Sequence, residues 1–193
     1  LSMAVIDEQH RFGVEQRLSL SAKAKKTMAM DILAMTATPI PRTLTLTVYG
    51  DMDVSRLDEK PPGRTPIDTR VMALSKIDDI IAASQRAIEN GARIYWVCPL
   101  VEQSELLDLA AAEERYRHLS QIFGDRVGLI HGKMKAQEKD EVMKRFMAGD
   151  IDILVATTVI EVGVDVPEAT VMIIEHAERF GLSQLHQLRG RIG

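Results

Sequence analysis

Asp7 and Glu8 are adjacent carboxylates that directly follow a short apolar run near the start of the sequence. One carboxylate in such a position can hold Mg²⁺ through water, and its neighbour can orient or deprotonate an attacking water molecule. A nucleotide phosphate site needs this pairing. The pair also fits a plain strand end that reaches solvent, so the two residues alone leave both interpretations open.

Threonine hydroxyls follow two later apolar runs. Thr36 and Thr38 come after one run, and Thr157 and Thr158 come after the other. Polar side chains at strand ends can contact a bound ligand, because ligands of open α/β sheets bind beyond the carboxyl ends of the strands. A turn followed by a helix cap explains Thr36 and Thr38 equally well.

Two further segments could contact a nucleotide. Gly163 would allow close backbone approach, and Asp165 could accept a hydrogen bond from a ribose hydroxyl, although a tight turn uses the same residue types. Gln187, Arg189 and Arg191 stand on one short basic segment. Arginine can bridge phosphate oxygens and stabilise a transferring phosphoryl group, and a solvated basic helix is the alternative.

Alternating strand and helix patterns over residues 67–193 predict the frame that positions these side chains. Helical periodicity begins at Ser75, with Asp78 as a weak capping box, ends at Gly91, and recurs over residues 107–123 and 135–148. The alternation predicts an α/β sheet with right-handed crossovers. Short apolar runs, typical of buried parallel strands, occur at residues 94–97, 127–130, 153–156 and 170–174, and residues 67–72 are also strand-like.

The first 58 residues hold fewer elements. We predict strands at residues 3–6 and 31–35 and a helix at residues 41–49, too few for a complete domain. Residues 59–66 contain three prolines and a glycine, which suit neither a helix nor a central strand and so predict a linker. We expect the apolar strands of the first part to pack on a neighbour or on the second domain, or to support self-association.

Composition excludes several classes of protein. The net charge of −4 predicts no extended basic surface, so any DNA contact must be local or lie elsewhere. The single cysteine, Cys98, excludes an internal disulfide framework, argues for a cytosolic protein, and lies in an apolar run that predicts burial. No apolar run approaches the roughly 20 residues that span a bilayer, so we expect no membrane partner.

In sequence order, the polar segments resemble the motifs of superfamily 2 helicases. Longer stretches around them, residues 7–14, 35–44 and 175–193, are similar to two families, the RecG helicases and the transcription-repair coupling factors. Residues 98–105, with the sequence Cys-Pro-Leu-Val-Glu-Gln-Ser-Glu, are similar to RecG alone. The matching motifs are motif II (residues 7–10, the Walker B box), motif III (36–38), motif V (156–165) and most of motif VI (187–191).

The resemblance implies two RecA-like lobes of the P-loop NTPase fold, each a parallel sheet with flanking helices, with ATP and Mg²⁺ between them. Residues 1–58 would be the C-terminal part of the first lobe, residues 59–66 the linker, and residues 67–193 the nearly complete second lobe. Asp7 would hold Mg²⁺ through water and Glu8 would act as the general base.

The resemblance also implies roles for the other motif residues, while Arg189 stands at a variable motif position and receives none. Gln9 and His10 would sense the γ-phosphate, and Thr36, Thr38, Thr157 and Thr158 would couple hydrolysis to DNA movement. Gly163 and Asp165 would face the nucleotide, and Gln187 and Arg191 would contact phosphate across the cleft.

RecG proteins are ATP-driven double-strand DNA translocases that remodel stalled forks and Holliday junctions. The resemblance therefore implies branched double-stranded DNA as the partner and the bacterial cytoplasm as the location. The sequence contains no Walker A loop, since residues 128–134 are one residue short of it and carry Met134 where Ser or Thr should stand. The second arginine of motif VI is also absent, so we expect the chain alone to be inactive.

Two alternatives remain. One is a coupling-factor motor, which would displace RNA polymerase and against which residues 98–105 argue. The other is a non-catalytic interaction module, which the missing phosphate loop favours.

Overall fold

The computed structural model describes residues 3–7, 31–36, 53–59, 66–99, 105–157 and 166–192. The helix predicted at residues 41–49 and most of the predicted linker lie outside these ranges. The chain divides into two compact units, Leu1–Glu59 and Lys60–Gly193. The assignment of residues 1–58, 59–66 and 67–193 to a lobe, a linker and a second lobe stays a prediction.

The described part of the first unit contains two paired strands. Strands β1 (Met3–Ile6) and β2 (Asp31–Ala34) run parallel, with Met3 opposite Asp31. Ala4 and Ile6 are buried whereas Met3 and Val5 are exposed, so the side chains of β1 alternate between two faces. Both predicted strands are confirmed, and Met3, Val5, Ile32 and Leu33 leave an exposed apolar surface on them. What this exposed surface packs against stays a prediction.

The second unit is built on a four-stranded parallel sheet. Its strands are β3 (Ile94–Cys98), β4 (Val127–Ile130), β5 (Ile153–Thr157) and β6 (Val171–Ile174), in the order β4-β5-β3-β6. Every residue of the two central strands, β3 and β5, is buried. This burial is what their continuous apolar runs predict for strands covered on both faces.

In the described part of the second unit, four α-helices cover the two faces of this sheet. They are α1 (Ile77–Glu89), α2 (Glu105–Phe123), α3 (Ala136–Ala148) and α4 (Leu182–Arg189). Ile81 and Ile88 of α1 and Leu119 of α2 pack with Trp96 on one face. On the other face, Phe146 of α3 packs with Tyr95 at a ring distance of 5.1 Å, and Leu188 of α4 packs with Val97. The predicted α/β architecture with flanking helices is confirmed.

Two local predictions are wrong, and both concern the segment before α1. Residues 67–72 form no strand, and Val71 is 99% exposed. A strand-like segment becomes a strand only when a neighbouring strand shares its hydrogen bonds, and this one, interrupted by Asp68, Thr69 and Arg70, pairs with none of the described strands. Ser75 does not cap α1, because it lies inside a 3₁₀ turn, Leu74–Lys76, that precedes the helix.

The helix ends match the sequence more closely. Gly91 follows α1 with a φ of +85°, a conformation that glycine adopts without strain and that ends helices. Gly124 follows α2 with a φ of +64°. Among the described residues, no helix is both long and apolar enough to cross a membrane.

Candidate functional site

The carboxyl ends of the four parallel strands meet at one edge of the second-unit sheet. Thr157 ends β5 directly opposite Cys98, which ends β3. His131 follows β4, and Glu175 follows β6, where its backbone N–H donates to the Val97 carbonyl at 2.9 Å. The fold therefore brings polar residues from four distant parts of the sequence to one edge, the place where such sheets bind ligands.

Thr157 is the candidate site residue of motif V that the structure describes. Its side chain is 2% exposed, and its hydroxyl has no hydrogen-bond partner among the described residues. The Nδ1 atom of His131, at the end of the adjacent strand, is likewise buried and unsatisfied. A buried polar atom without a partner costs roughly 1–3 kcal/mol, so its retention at a ligand-binding edge suggests a functional use. Thr158, Gly163 and Asp165 lie outside the described residues.

Helix α4 positions the predicted phosphate contacts. Leu188 is buried against Val97 and Phe180, which fixes the rotation of the helix, and Gln187 beside it is half-buried. Arg191 lies just past the helix end, where its backbone N–H donates to the Leu188 carbonyl at 3.0 Å, and its side chain is half-buried. The structure thus brings Gln187 and Arg191 within one turn of each other.

A strained turn leads from β6 into α4. His176 has a φ of +49°, which is uncommon for a residue other than glycine. Its ring nitrogen Nδ1 lies 3.0 Å from the Glu178 carboxylate. The pKa of Glu178 is lowered, first by a backbone N–H that donates to its carboxylate and then by the His176 ring.

A buried ion pair at the end of β6 has no signal in the sequence. The Glu175 carboxylate accepts hydrogen bonds from Trp96 Nε1 and Arg115 Nε, both at 2.5 Å, and its second oxygen lies 3.2 Å from another Arg115 nitrogen. The Arg115 guanidinium also lies 5.5 Å from the Trp96 ring and 3.0 Å from His118. These partners come from β3, α2 and β6, and no spacing rule links them.

Cys98 lies at the same edge and is 2% exposed, which confirms its predicted burial. Burial, and then the negative charge of Glu175, raise the pKa of its thiol to about 12. A raised pKa keeps the thiol protonated at neutral pH, the state in which a cysteine is a poor nucleophile.

Arg189 makes a contact that its motif position does not indicate. Its guanidinium donates to the Ile67 carbonyl at 3.2 Å, across 122 residues of sequence. The contact joins α4 to the segment through which the chain enters the second unit.

In the first unit, Asp7 and Thr36 follow β1 and β2 at the same edge of the two-stranded sheet, and both are exposed. Glu8, Gln9, His10 and Thr38 lie outside the described residues. Among the described residues, no three acidic, histidine or cysteine side chains gather as a metal cage. An exposed carboxylate still suits Mg²⁺, which keeps several waters and binds through one or two carboxylates and substrate phosphates.

Comparison with known proteins agrees with the motif resemblance. Residues 73–193 match the family described as the helicase conserved C-terminal domain. The chain is 58% identical over 195 residues to the ATP-dependent DNA helicase RecG of Acidithiobacillus ferridurans, and 53% identical over 195 residues to that of Bacillus subtilis strain 168. Both alignments cover 100% of this chain, which spans 28% of the length of each relative.

Solved structures give the same picture. A structure of RecG bound to a three-way DNA junction is 44% identical with a TM-score of 0.72, and the alignment covers 100% of this chain and 24% of that chain. Dbp5 of S. cerevisiae, bound to RNA and ADP BeF3, has a TM-score of 0.68 over 100% of this chain and 50% of its own. Its 15% identity shows the fold alone. Since the family match takes in most of the sequence, the chain belongs to the helicase conserved C-terminal domain family.

Proposed function

We propose that this chain is part of an ATP-dependent DNA helicase motor that remodels branched double-stranded DNA, such as stalled forks and Holliday junctions. The observation that carries the proposal is the 58% identity to a RecG helicase over the full length of this chain. The position of Thr157 beside Cys98 and the other described strand ends, at one edge of the sheet, supports it. The location would be the bacterial cytoplasm, where the DNA is.

The first unit would supply the hydrolytic carboxylates. Asp7, exposed at the end of β1, would hold Mg²⁺ through water, and Glu8 would accept the proton of the attacking water. Gln9 and His10 would sense the γ-phosphate. The metal would supply charge neutralisation on the phosphate oxygens.

The second unit would supply the cationic and coupling residues. Gln187 and Arg191, held within one turn of each other by the packing of Leu188, would contact phosphate. Gly163 and Asp165 would face the nucleotide. Thr36, Thr38, Thr157 and Thr158 would couple hydrolysis to movement along DNA.

The DNA partner follows from one relative. The RecG structure similar to this chain is bound to a three-way DNA junction. The net charge of −4 means that the phosphate contacts of this chain would be local, not a broad basic face. Self-association through the exposed side chains of β1 and β2 is a further proposal.

A non-catalytic interaction module is the alternative function, and the 58% identity to a helicase over the full length of this chain does not favour it. The 193 residues contain no Walker A loop, which cradles nucleotide phosphates in this class of ATPase. The catalytic proposal therefore has to be tested in the complete protein.

The test is DNA-stimulated ATP hydrolysis by the complete protein with and without Glu8→Gln. We expect the substitution to lower kcat by about 10²–10⁴-fold while ATP still binds, because the amide cannot accept the proton. Glu59→Gln, which changes an exposed carboxylate outside the motifs, should leave hydrolysis unchanged. Full turnover in Glu8→Gln would show that Glu8 is not the base, and no hydrolysis by the unsubstituted protein would favour the interaction module.

A further inference from the structure

We propose that Arg189 is a positioning residue of the nucleotide site, which fastens the entry segment, residues 66–73, to the helix that carries Gln187. The inference rests on the proposed function and extends it, because motif resemblance gives Arg189 no role. Arg189 would contact the protein backbone and not the nucleotide, and would affect the site by holding α4 in position. Its partner is a backbone carbonyl of the entry segment.

The entry segment has few contacts of its own. It forms no strand or helix, and most of its side chains are exposed. The Arg70 guanidinium pairs with Asp68, two residues away, so this ion pair does not hold the segment to the rest of the unit. A segment of this kind stays in place only through the contacts that other elements make with it.

Ile67 makes two contacts with the rest of the second unit. Its carbonyl accepts the hydrogen bond from Arg189 at 3.2 Å. Its half-buried side chain packs against the apolar cluster that contains Tyr95, Ile130 and Ile192. The segment is therefore anchored to residue 189 by a hydrogen bond and to the cluster of residue 192 by packing.

Arg191 stands between these two anchor positions. On the sheet side, Leu188 fixes α4 against Val97 and Phe180. On the other side, the hydrogen bond to Arg189 and the cluster around Ile192 attach the same helix end to the segment that follows the proline-rich residues 59–66. Displacement of the entry segment would act on the helix end that presents Arg191, so we infer that the two positions are coupled.

The physical contact is tested by limited trypsin digestion of the folded complete protein, with cleavage after Arg70 followed by mass spectrometry. We expect Arg189→Ala to raise the rate of this cleavage by about two- to tenfold, the population shift that loss of one hydrogen bond produces. Arg179→Ala removes an arginine from the turn before α4, outside the entry segment, and it should leave the rate unchanged. Equal cleavage rates in the two variants would overturn the anchor.

The functional consequence is tested by steady-state ATP hydrolysis in the presence of branched DNA. We expect Arg189→Ala to lower kcat by about two- to tenfold with the KM for ATP unchanged, since the residue contacts the chain. Arg189→Lys should restore most of the loss, because an ammonium can also donate to the Ile67 carbonyl. A rise in KM of the same size as the fall in kcat would identify a direct nucleotide contact and reject the proposal.

A second variant covers the possibility that Arg189→Ala fails to fold. Ile67→Ala weakens the packing anchor and leaves the arginine in place, and it should raise cleavage after Arg70 and lower kcat in parallel. Faster cleavage with unchanged kcat would mean that the entry segment does not position the site.

Glu8→Gln separates this inference from the proposed function. If Glu8→Gln keeps turnover, the assigned hydrolytic site is wrong, whereas the cleavage data still decide whether the anchor exists. If Glu8→Gln is inactive and Arg189→Ala equals Arg179→Ala in both assays, the anchor is wrong and the helicase proposal stands.

Discussion

The two edges of the second-unit sheet differ in how their polar groups are satisfied. At the edge where the strands begin, Arg93 donates to the Met147 carbonyl at 2.9 Å and pairs with Glu168, and the buried Asp152 Oδ2 atom, which accepts no hydrogen bond among the described residues, forms an ion pair with Arg126. At the edge where the strands end, the hydroxyl of Thr157 and the Nδ1 atom of His131 are buried without partners among the described residues. The first edge is built for stability, and the second keeps polar atoms that a ligand or a moving segment can use.

The end of β6 is the exception at the second edge, because Glu175 is fully paired there. The Glu175 and Arg115 side chains are only 11% and 17% exposed. The second edge therefore contains both kinds of polar group. The ion pair of Glu175 with Arg115, which we call the clamp, satisfies the end of β6, whereas β4 and β5 are followed or ended by buried atoms without partners among the described residues. Variants at the two edges, and at the two parts of the second one, can break or sharpen this comparison.

Loss of the clamp on β6 should have the largest effect on stability. Arg115→Met keeps the length of the side chain but leaves the Glu175 carboxylate buried and unpaired, so we expect the free energy of unfolding to fall by about 3–5 kcal/mol. Urea denaturation of the chain, followed by far-UV circular dichroism, measures it. Arg70→Met is the matched control, since its pair with Asp68 is 79% and 71% exposed and should contribute less than about 1 kcal/mol. Equal midpoints would mean that the clamp does not stabilise the unit.

Arg93 tests whether the first edge serves stability alone. Its side chain is 16% exposed and binds a carbonyl in the last turn of α3, where a cation also meets the negative end of the helix dipole. We expect Arg93→Ala to lower the free energy of unfolding by about 2–3 kcal/mol, typical of a hydrogen bond from a charged group. The kcat of the complete protein, measured well below its melting temperature, should not change. A loss of kcat without a loss of stability would contradict the division between the edges.

Thr157 should behave in the opposite way. Thr157→Val replaces a buried, unsatisfied hydroxyl with a methyl group of similar size, so we expect stability to be unchanged or to rise by about 1 kcal/mol. The stimulation of ATP hydrolysis by DNA, measured in the complete protein, should fall, because the variant lacks the hydroxyl that is available for a ligand or a moving segment. Thr170→Val, at the start of β6, is the control and should change neither quantity. A stability loss in Thr157→Val would reveal a structural partner for the hydroxyl.

The sequence predicted the buried strands well because burial on both faces requires continuous apolar runs. Residues 94–97 and 153–156 are such runs, and both became central strands. Residues 67–72 are strand-like but contain Asp68, Thr69 and Arg70, so they lack a continuous apolar run, and whether such a segment becomes a strand depends on a neighbour that the local pattern does not encode. Ser75 failed as a cap for a related reason, since a preceding 3₁₀ turn moved the helix start.

The candidate site was predictable only where a motif is contiguous in sequence. Five described candidate residues belong to recognisable sequence motifs, and all five lie at strand ends or at the end of α4: Asp7, Thr36, Thr157, Gln187 and Arg191. The clamp of Glu175, Arg115 and Trp96 joins residues 60 and 79 positions apart, and the Arg189 contact spans 122 positions. Such pairs are set by tertiary packing, and a single sequence has no local pattern that marks them.

Ionisation of Cys98 should have the smallest effect on the free energy of unfolding. This effect is absent at neutral pH and appears only at alkaline pH. Burial and Glu175 raise the pKa of the thiol from 9.0 to about 12, whereas in the unfolded chain it stays near its ordinary value. Both states are neutral below pH 9, so the full stability is present there, and it falls as the unfolded state ionises first. We expect this one group to account for a loss of about 1 kcal/mol by pH 10.

Urea denaturation of the unsubstituted chain and of Cys98→Ala at pH 8 and pH 10 measures the contribution of the thiol to this loss of stability. Trp96 is the single tryptophan and lies in the second unit, so its fluorescence reports on the unfolding of this unit. The alkaline loss should be about 1 kcal/mol smaller in Cys98→Ala than in the unsubstituted chain. If both proteins lose the same amount, the thiol ionises in the folded state near its ordinary pKa. That outcome would mean that water reaches the strand ends at Cys98 and Thr157, and that this part of the edge is more open than its burial indicates.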